Sequence, residues 1–419
     1  MEATSSVKER EHLYRLIVSQ LRYDGYESAA SNLARNFSAY PPCAPSSRLS
    51  HLVRLGNQME GEASKPDHSD VLSHISGRGI MDLEFESDEK IMSPPAHRHE
   101  LGYVTSHKGP VLCSNFSHDG RLVATGSADM SIRILDVDRM ATKSTVGQQD
   151  PHPVIRTLYD HSDAILSLSF HPTVSVLASG SRDNFIKFFD YSKPSVKRAY
   201  RSVIEVASVR CLTFHPSGDY ILVGTEQSTL RLYDANTFQC FVSSDARDQH
   251  SSSINSVHYS VDGKMYVTAS SDGSLKVWDG VSNRCINTFK SAHGGEPVGS
   301  ARLSKNSKFV LTSGMDGYAR LWELSSGNCL NNYKPNKISK PQFLPTAVFS
   351  HTEDYVLMGE EHQNMIFCWE TRTTQSYKPL FTSHQGPVRT LCHSPLVPAF
   401  ITGGEDCKIR FFCCKDRQN

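Results

Sequence analysis

ASSDGSLKVWD, residues 269–279, reads as a tight turn followed by an alternating strand, and the chain returns to it again and again. The copies are GSADMSIRILD (126–136), GSRDNFIKFFD (180–190), SGMDGYARLWE (313–323) and GGEDCKIRFFC (403–413). Two looser ones, GTEQSTLRLYD (224–234) and EEHQNMIFCWE (360–370), raise the set to seven. Neighbouring copies lie about 44 residues apart, stretched only between the first two, and a period of roughly 40–45 suits a four-stranded propeller blade. Within a copy, a Gly/Ser/Asp turn separates two short runs of alternating apolar and polar residues, as in KMYVTAS (264–270) and SLKVWD (274–279). That alternation is the mark of half-buried antiparallel strands. One such sheet cannot bury both faces alone, so it must stack on neighbours, and a closed ring leaves only short, protected edges. The expected body is an all-β, seven-bladed propeller.

Upstream of the turn aspartate stands a histidine. His107 and Asp129, His161 and Asp183, His250 and Asp272, and His384 and Asp406 are each 22 apart, and His293 and Asp316 are 23 apart. A His with a carboxylate is a common acid/base pair, but five repetitions argue for a structural role. The third copy carries Glu205 and Gln227 at these positions and the sixth Pro341 and Gln363, so both members are lost together, as an interacting pair would be. A Ser or Thr precedes each Asp by four (Thr125, Ser179, Thr268, Thr312, Thr402), and all three tryptophans (Trp278, Trp322, Trp369) fall just before the closing acid. The spacing therefore predicts buried tetrads, with His250, Thr268, Asp272 and Trp278 in one blade and His293, Thr312, Asp316 and Trp322 in the next. Each bond in such a network contributes about 0.5–1.5 kcal/mol net. No nucleophile elbow, phosphate-cradling glycine loop or metal-ligand spacing rises above background, so no catalytic residue, metal or cofactor is expected.

These repeats resemble those of the WD-repeat propellers, over residues 101–419. The last copy leaves too few residues for an outer strand, while HELGYVTSH (99–107) looks like the outer strands RTLYDH (156–161) and CINTFKSAH (285–293). The N-terminal strand should therefore complete the last blade. In that family, residues beside the turn Asp or at the start of the inner strand reach the upper face. The resemblance thus implies Arg182, Arg210, Arg389, Glu405, Glu226 and His362 as a mixed-charge protein-docking surface.

Forty-four Lys and Arg balance 44 Asp and Glu, so no global field draws nucleic acid or membrane. Two local clusters, Lys193, Lys197, Arg198 and Arg201, then Lys334, Lys337 and Lys340, read either as phosphate contacts or as solvated loops. The N-terminal MEATSSVKEREH lacks an apolar signal region, no run approaches a membrane span, and the 11 scattered cysteines lack metal-ligand spacing. A reducing nuclear or cytosolic compartment, and no membrane, are expected.

Residues 7–60 switch to helical spacing, with Leu13, Leu16, Ile17 and Leu21 on one face, an Asp24-Gly25 turn, then Tyr26, Ala29, Ala30, Leu33 and Phe37. A third helix is expected after Ser46 or Ser47. Such a segment has little core of its own, and oligomerisation is a usual remedy. LYRLIVSQLRYDGYESAASNL (13–33) resembles the LisH-type dimerisation hairpin, which implies a small all-α domain that homodimerises through Leu13, Leu16, Ile17, Leu21, Tyr26 and Leu33. The alternative is that these helices pack on their own propeller. The expected domains are thus a helical dimerisation domain (1–60), a flexible acidic linker (61–98) and the propeller (99–419). Within the linker, IMDLEFESDE (80–89) alternates acids with Leu83 and Phe85, either as a docking segment or as a tether.

DLEFESD (82–88), MSPP (92–95), HPVIRTLYDH (152–161), FHPSGDYILVGT (214–225), LRLYDANTFQCFVS (230–243) and LKVWDGVSNRCI (275–286) are together similar to the WD-repeat subunits of the cleavage stimulation factor. This closer resemblance implies a nuclear, non-enzymatic scaffold subunit and homodimer. Its partners would be a helical-repeat scaffold subunit and an RNA-recognition subunit, which binds the GU- or U-rich element downstream of a pre-mRNA cleavage site. RNA would be met indirectly, and contact with the RNA polymerase C-terminal domain is a further family expectation. The rival reading is a substrate receptor of a cullin-type ubiquitin ligase, since Trp369, Glu370 and Arg372 resemble the WD-x-R adaptor box. The insertion at 137–153 carries no readable chemistry.

Overall fold

The computed structural model describes residues 93–142, 152–193, 195–243, 245–335 and 340–414, with 17–19, 21 and 30 near the N-terminus. The chain divides into two units, Met1–Ile80 and Met81–Asn419. In the second, the strands form seven four-stranded antiparallel sheets. Blade four runs from an inner strand, Ile254–Tyr259, through Met265–Ser270 and Leu275–Asp279 to an outer one, Cys285–Phe289. Blade seven takes Val388–His393, Ala399–Gly404 and Lys408–Cys413 from the end of the chain, and its outer strand, Glu100–Ser106, from before blade one. The register runs from Glu100 opposite Cys413 to Ser106 opposite Lys408, so the two ends of the propeller close the ring.

Period-2 alternation survives only where one face of a strand is open. The second strand of blade five, Phe309–Gly314, is buried at every position because neighbouring blades cover both of its faces. Blades approach closely where that strand carries a glycine. A Cβ on Gly180 would lie 2.3 Å from Val209 Cγ1 in blade three, and one on Gly403 would lie 2.5 Å from Val111 Cγ1 across the ring closure. A β-branched residue from the next blade fills the notch that each missing side chain leaves.

Two additions brace the closure. The insertion lies not between the first two blades but within blade one, between Ser131–Asp136 and the outer strand Val154–Tyr159, and it opens with a helical turn, Val137–Thr142, whose Val137 and Met140 join the core of blades one and seven beside Tyr103 and Cys413. Among the described residues the propeller's contacts reach back to Ser93, ahead of the expected boundary at 99. The Ser93 amide donates to Asp354 Oδ2 (3.2 Å), its hydroxyl pairs with His351 Nδ1 (2.9 Å), and the Ala96 amide donates to Cys368 Sγ (3.5 Å).

In the first unit the described residues 17–19, 21 and 30 are helical, with Val18 and Ala30 buried and Ile17 and Leu21 half-buried. Leu13, Leu16, Tyr26 and Leu33, the rest of the expected helical hairpin, the third helix and the acidic stretch 80–89 lie outside the described residues.

Candidate functional site: the channel mouth

The His–Asp pairs close inside the blades. In blade four, the Trp278 indole N–H donates to Thr268 Oγ1 (2.9 Å), which is 2.7 Å from His250 Nε2. His250 Nδ1 faces Asp272 Oδ2 (3.1 Å), whose other oxygen accepts from the Ser274 amide (2.8 Å) and hydroxyl (2.6 Å). Since the Thr hydroxyl has one proton to give, the chain of donors runs Trp to Thr to His Nε2, and His Nδ1–H to Asp. Burial, outweighing the help of Asp272, holds the His250 ring below its ordinary value. Burial alone would raise the Asp272 carboxyl, but the bonds from His250, Ser274 and the Ser251 amide outweigh it and hold it far below the usual range. Blade five repeats the tetrad, with Trp322 to Thr312 at 3.0 Å, His293 to Thr312 at 2.9 Å and His293 to Asp316 at 2.8 Å. In all five copies the histidine side chain is 0% exposed.

The two degenerate copies solve the same problem differently. In blade three Glu205 fills the histidine's place, accepting from the Tyr233 hydroxyl (2.6 Å) and Arg231 Nη1 (2.8 Å). Blade six abandons polarity. Thr312 sits opposite Arg320 in blade five, whereas the matching pair in blade six is Met358 opposite Phe367, and the Phe367 ring stacks on Trp369 at 5.6 Å. One member escaped the sequence reading, although its signal was available. A basic residue stands four after the turn Asp or Gln in six copies: Arg133, Lys187, Arg231, Lys276, Arg320 and Arg410. Arg320 donates to Asp316 (2.7 Å) and to the Ala292 carbonyl (2.9 Å), tying the third strand to the incoming histidine segment.

The face residues have a structural cause. In six blades the inner strand opens with a register shift, a one-residue bulge at Leu112, Leu166, Arg210, Asn255, Gly299 or Arg389; blade six has none. A bulge leaves its residue unpaired and re-aims its side chain, and all six line the central channel. That channel, of about 650 Å³, gathers Arg182, Arg210, Glu226, Arg389 and Glu405. Arg210 pairs with Glu226 at 3.7 Å. Arg389 pairs with Glu405, and its guanidinium lies 3.5 Å from the centroid of the Phe343 ring. His362 stands apart, on a small groove between blades six and seven with Pro341, Met358 and Val388, which Arg389 also lines. Deeper in the channel, burial and then the Arg302 charge push His258 down to about 3, and its Nδ1 accepts from the Leu303 amide (3.3 Å).

Of the basic clusters, Lys193, Lys197, Arg198 and Arg201 are exposed on the outer edge of blade two. Lys340 pairs with Glu296 at 2.9 Å, and Lys337 lies outside the described residues. Trp369 of the adaptor-like box is buried, and the Arg372 carbonyl accepts from Asn331 at 3.1 Å.

Seven blades, five buried His–Asp networks and a channel rimmed by paired charges define a WD-repeat propeller. The profile of the WD domain, G-beta repeat, matches 99–136, 153–190, 203–234, 243–279, 283–323 and 375–413, passing over the apolar sixth blade. Residues 5–61 match the dimerisation domain of cleavage stimulation factor subunit 1. The chain is 36% identical to cleavage stimulation factor subunit 50 of Arabidopsis thaliana, over 96% of its own length and 95% of that protein's. It is 29% identical to translation initiation factor 3 subunit I of Rattus norvegicus over 48% of this chain and 59% of that one, and 29% to pre-mRNA-processing factor 19 homolog 2 of Arabidopsis thaliana over 46% and 34%. The chain belongs to the family of the cleavage stimulation factor's WD-repeat subunit.

Proposed function

We propose that this chain is the non-enzymatic docking subunit of a nuclear cleavage stimulation factor, supporting pre-mRNA 3′-end cleavage and polyadenylation. The observation that carries the reading is the match over both halves at once, helical segment and propeller, to one kind of protein. In this reading residues 1–60 make the homodimer and the expected linker 61–98 is a tether up to Ser93, from which point it is docked on the propeller. The propeller (99–419) presents the channel mouth, Arg182, Arg210, Glu226, Arg389 and Glu405, with His362 beside it, to partner proteins. The partners are the helical-repeat scaffold subunit and the RNA-recognition subunit, with the polymerase C-terminal domain as a further family expectation. Two features support a role without catalysis. The repeated His–Asp pairs are used up inside the blades, and two arginines of the mouth, Arg210 and Arg389, are already matched to carboxylates, as suits a surface that selects partners by charge pattern. The ligase-receptor reading rests on Trp369, Glu370 and Arg372 alone.

Mass spectrometry of proteins co-purifying with the tagged chain from nuclear extract tests the choice. Recovery of the helical-repeat and RNA-recognition subunits supports the proposal, and a cullin adaptor in their place would move the function to ubiquitin ligation.

A further inference from the structure

We propose that the outer edge of blade two is a direct contact site for single-stranded RNA, laid along the segment that joins its third and fourth strands. The segment YSKPSVKRAYR (191–201) holds four basic residues and no acid in a chain of zero net charge. It is held in place on its inner side. Tyr191, Val196 and Ala199 pack against the core shared by blades one and two. The Tyr159 amide donates to the Lys197 carbonyl (2.9 Å), the Tyr200 amide to the Phe188 carbonyl (2.9 Å), and the Ala199 amide to Asp160 Oδ2 (3.2 Å). The described residues 195–201 of this strap are thus held in place, with exposed side chains on the outward side.

Those side chains are of two kinds. Lys197 and Arg198 are exposed, and neither makes an ion pair or side-chain hydrogen bond to another described residue. Lys193 is 70% exposed and only loosely paired with Asp190 (3.4 Å). Asp160, which accepts from the strap's Ala199 amide, is taken up by Lys187 at 3.2 Å. Between and beside the cations stand two exposed aromatic rings, Tyr159 at 55% and Tyr200 at 59%. Arg201 lies over the Phe238 ring at 4.6 Å, which fixes its charge on the same strand as the exposed Ile204. Free cations beside open aromatic faces are the two elements that recognise a single strand, the first tracking phosphates and the second stacking bases. An acidic protein segment would use the cations but has no need of the rings, and duplex RNA hides its bases from them. The choice of nucleic acid rests on the pre-mRNA reading above; the site itself rests on the strap.

The test is fluorescence anisotropy of the full chain with a labelled oligouridine of about 15 nucleotides, a length within reach of a single-strand platform, at several salt concentrations. Saturable binding should weaken with salt, and Lys197→Glu with Arg198→Glu should lower affinity more than about tenfold and reduce the salt slope by ~1.4, at ~0.7 per lost phosphate contact. Tyr159→Ala with Tyr200→Ala should lower affinity at an unchanged slope. Full affinity in the charge-reversed variant, or no binding by the parent chain at low salt, would overturn the proposal. Neutral tyrosine changes together with equal competition by polyglutamate would overturn it too, in favour of an acidic protein partner. All four positions are exposed, so the variants should melt with the parent. Co-purification with the charge-reversed variant separates this site from the reading it rests on. Partner subunits recovered with the variant that has lost RNA affinity leave the complex assignment intact, and RNA affinity of the parent chain without recovery of partner subunits counts against that assignment alone.

Discussion

Asp272 accepts from His250, the Ser274 amide and hydroxyl, and the Ser251 amide, and removing its carboxylate would orphan each of these donors at once. Asp272→Ala should cost about 2–4 kcal/mol in urea or thermal unfolding. Glu205 poses a sharper case, because it is buried against Arg231 and Tyr233. Glu205→Ala leaves the guanidinium without its charge partner and should cost about 3 kcal/mol by the same measurement. The two positions also differ in how far they could be read in advance. His250 and Asp272 were legible because five blades repeat them at one spacing. The Glu205–Tyr233 bond was not, since it occurs once and joins residues that no repeat couples. The bulges at Arg210 and Arg389 were hidden for another reason: a register shift is a property of two paired strands, and no residue type announces it.

A cluster of histidines joins elements of blades six and seven where the segment beginning at Ser93 packs. His351 and His393 stack with centroids 5.8 Å apart, and His99 sits edge-on to His393 at 6.5 Å. His99 stands more than 250 residues before the other two, at the opposite end of the propeller sequence, so spacing could not have joined them. Burial pushes His351 to about 4 and His393 to about 3, while burial raises Glu353 to about 7. The signs oppose. The histidines' contribution is whole above about pH 6.5, where an unfolded ring loses its proton, and fades as pH falls toward 4 and 3. Glu353's is whole below about 4.5, the unfolded carboxyl's value, and is lost as pH rises through 7. Glu353→Gln should therefore raise the melting temperature by about 2 °C at pH 8 and leave it unchanged at pH 4, as differential scanning fluorimetry would record. Between blades, Gly180→Val drives a side chain into Val209 and should cost about 1–3 kcal/mol by urea unfolding.

For the whole molecule, the dimer expected from the helical segment predicts that Leu16→Glu yields a monomer by light scattering with the propeller's melt unchanged; a persisting dimer would place the interface elsewhere. The propeller carries its own constraint of order. The strand that seals blade seven, Glu100–Ser106, precedes every other strand of the ring, and its mate, Lys408–Cys413, follows them all. A ribosome delivers the lock first and the latch last. At roughly 5–20 residues per second the gap between them is about 15–60 s, during which the earliest strand has no native partner. The stacked blades can begin to assemble behind the ribosome, but the ring becomes a ring only once Lys408–Cys413 has emerged, and in that interval nascent-chain chaperones should find their binding window on the orphan first strand.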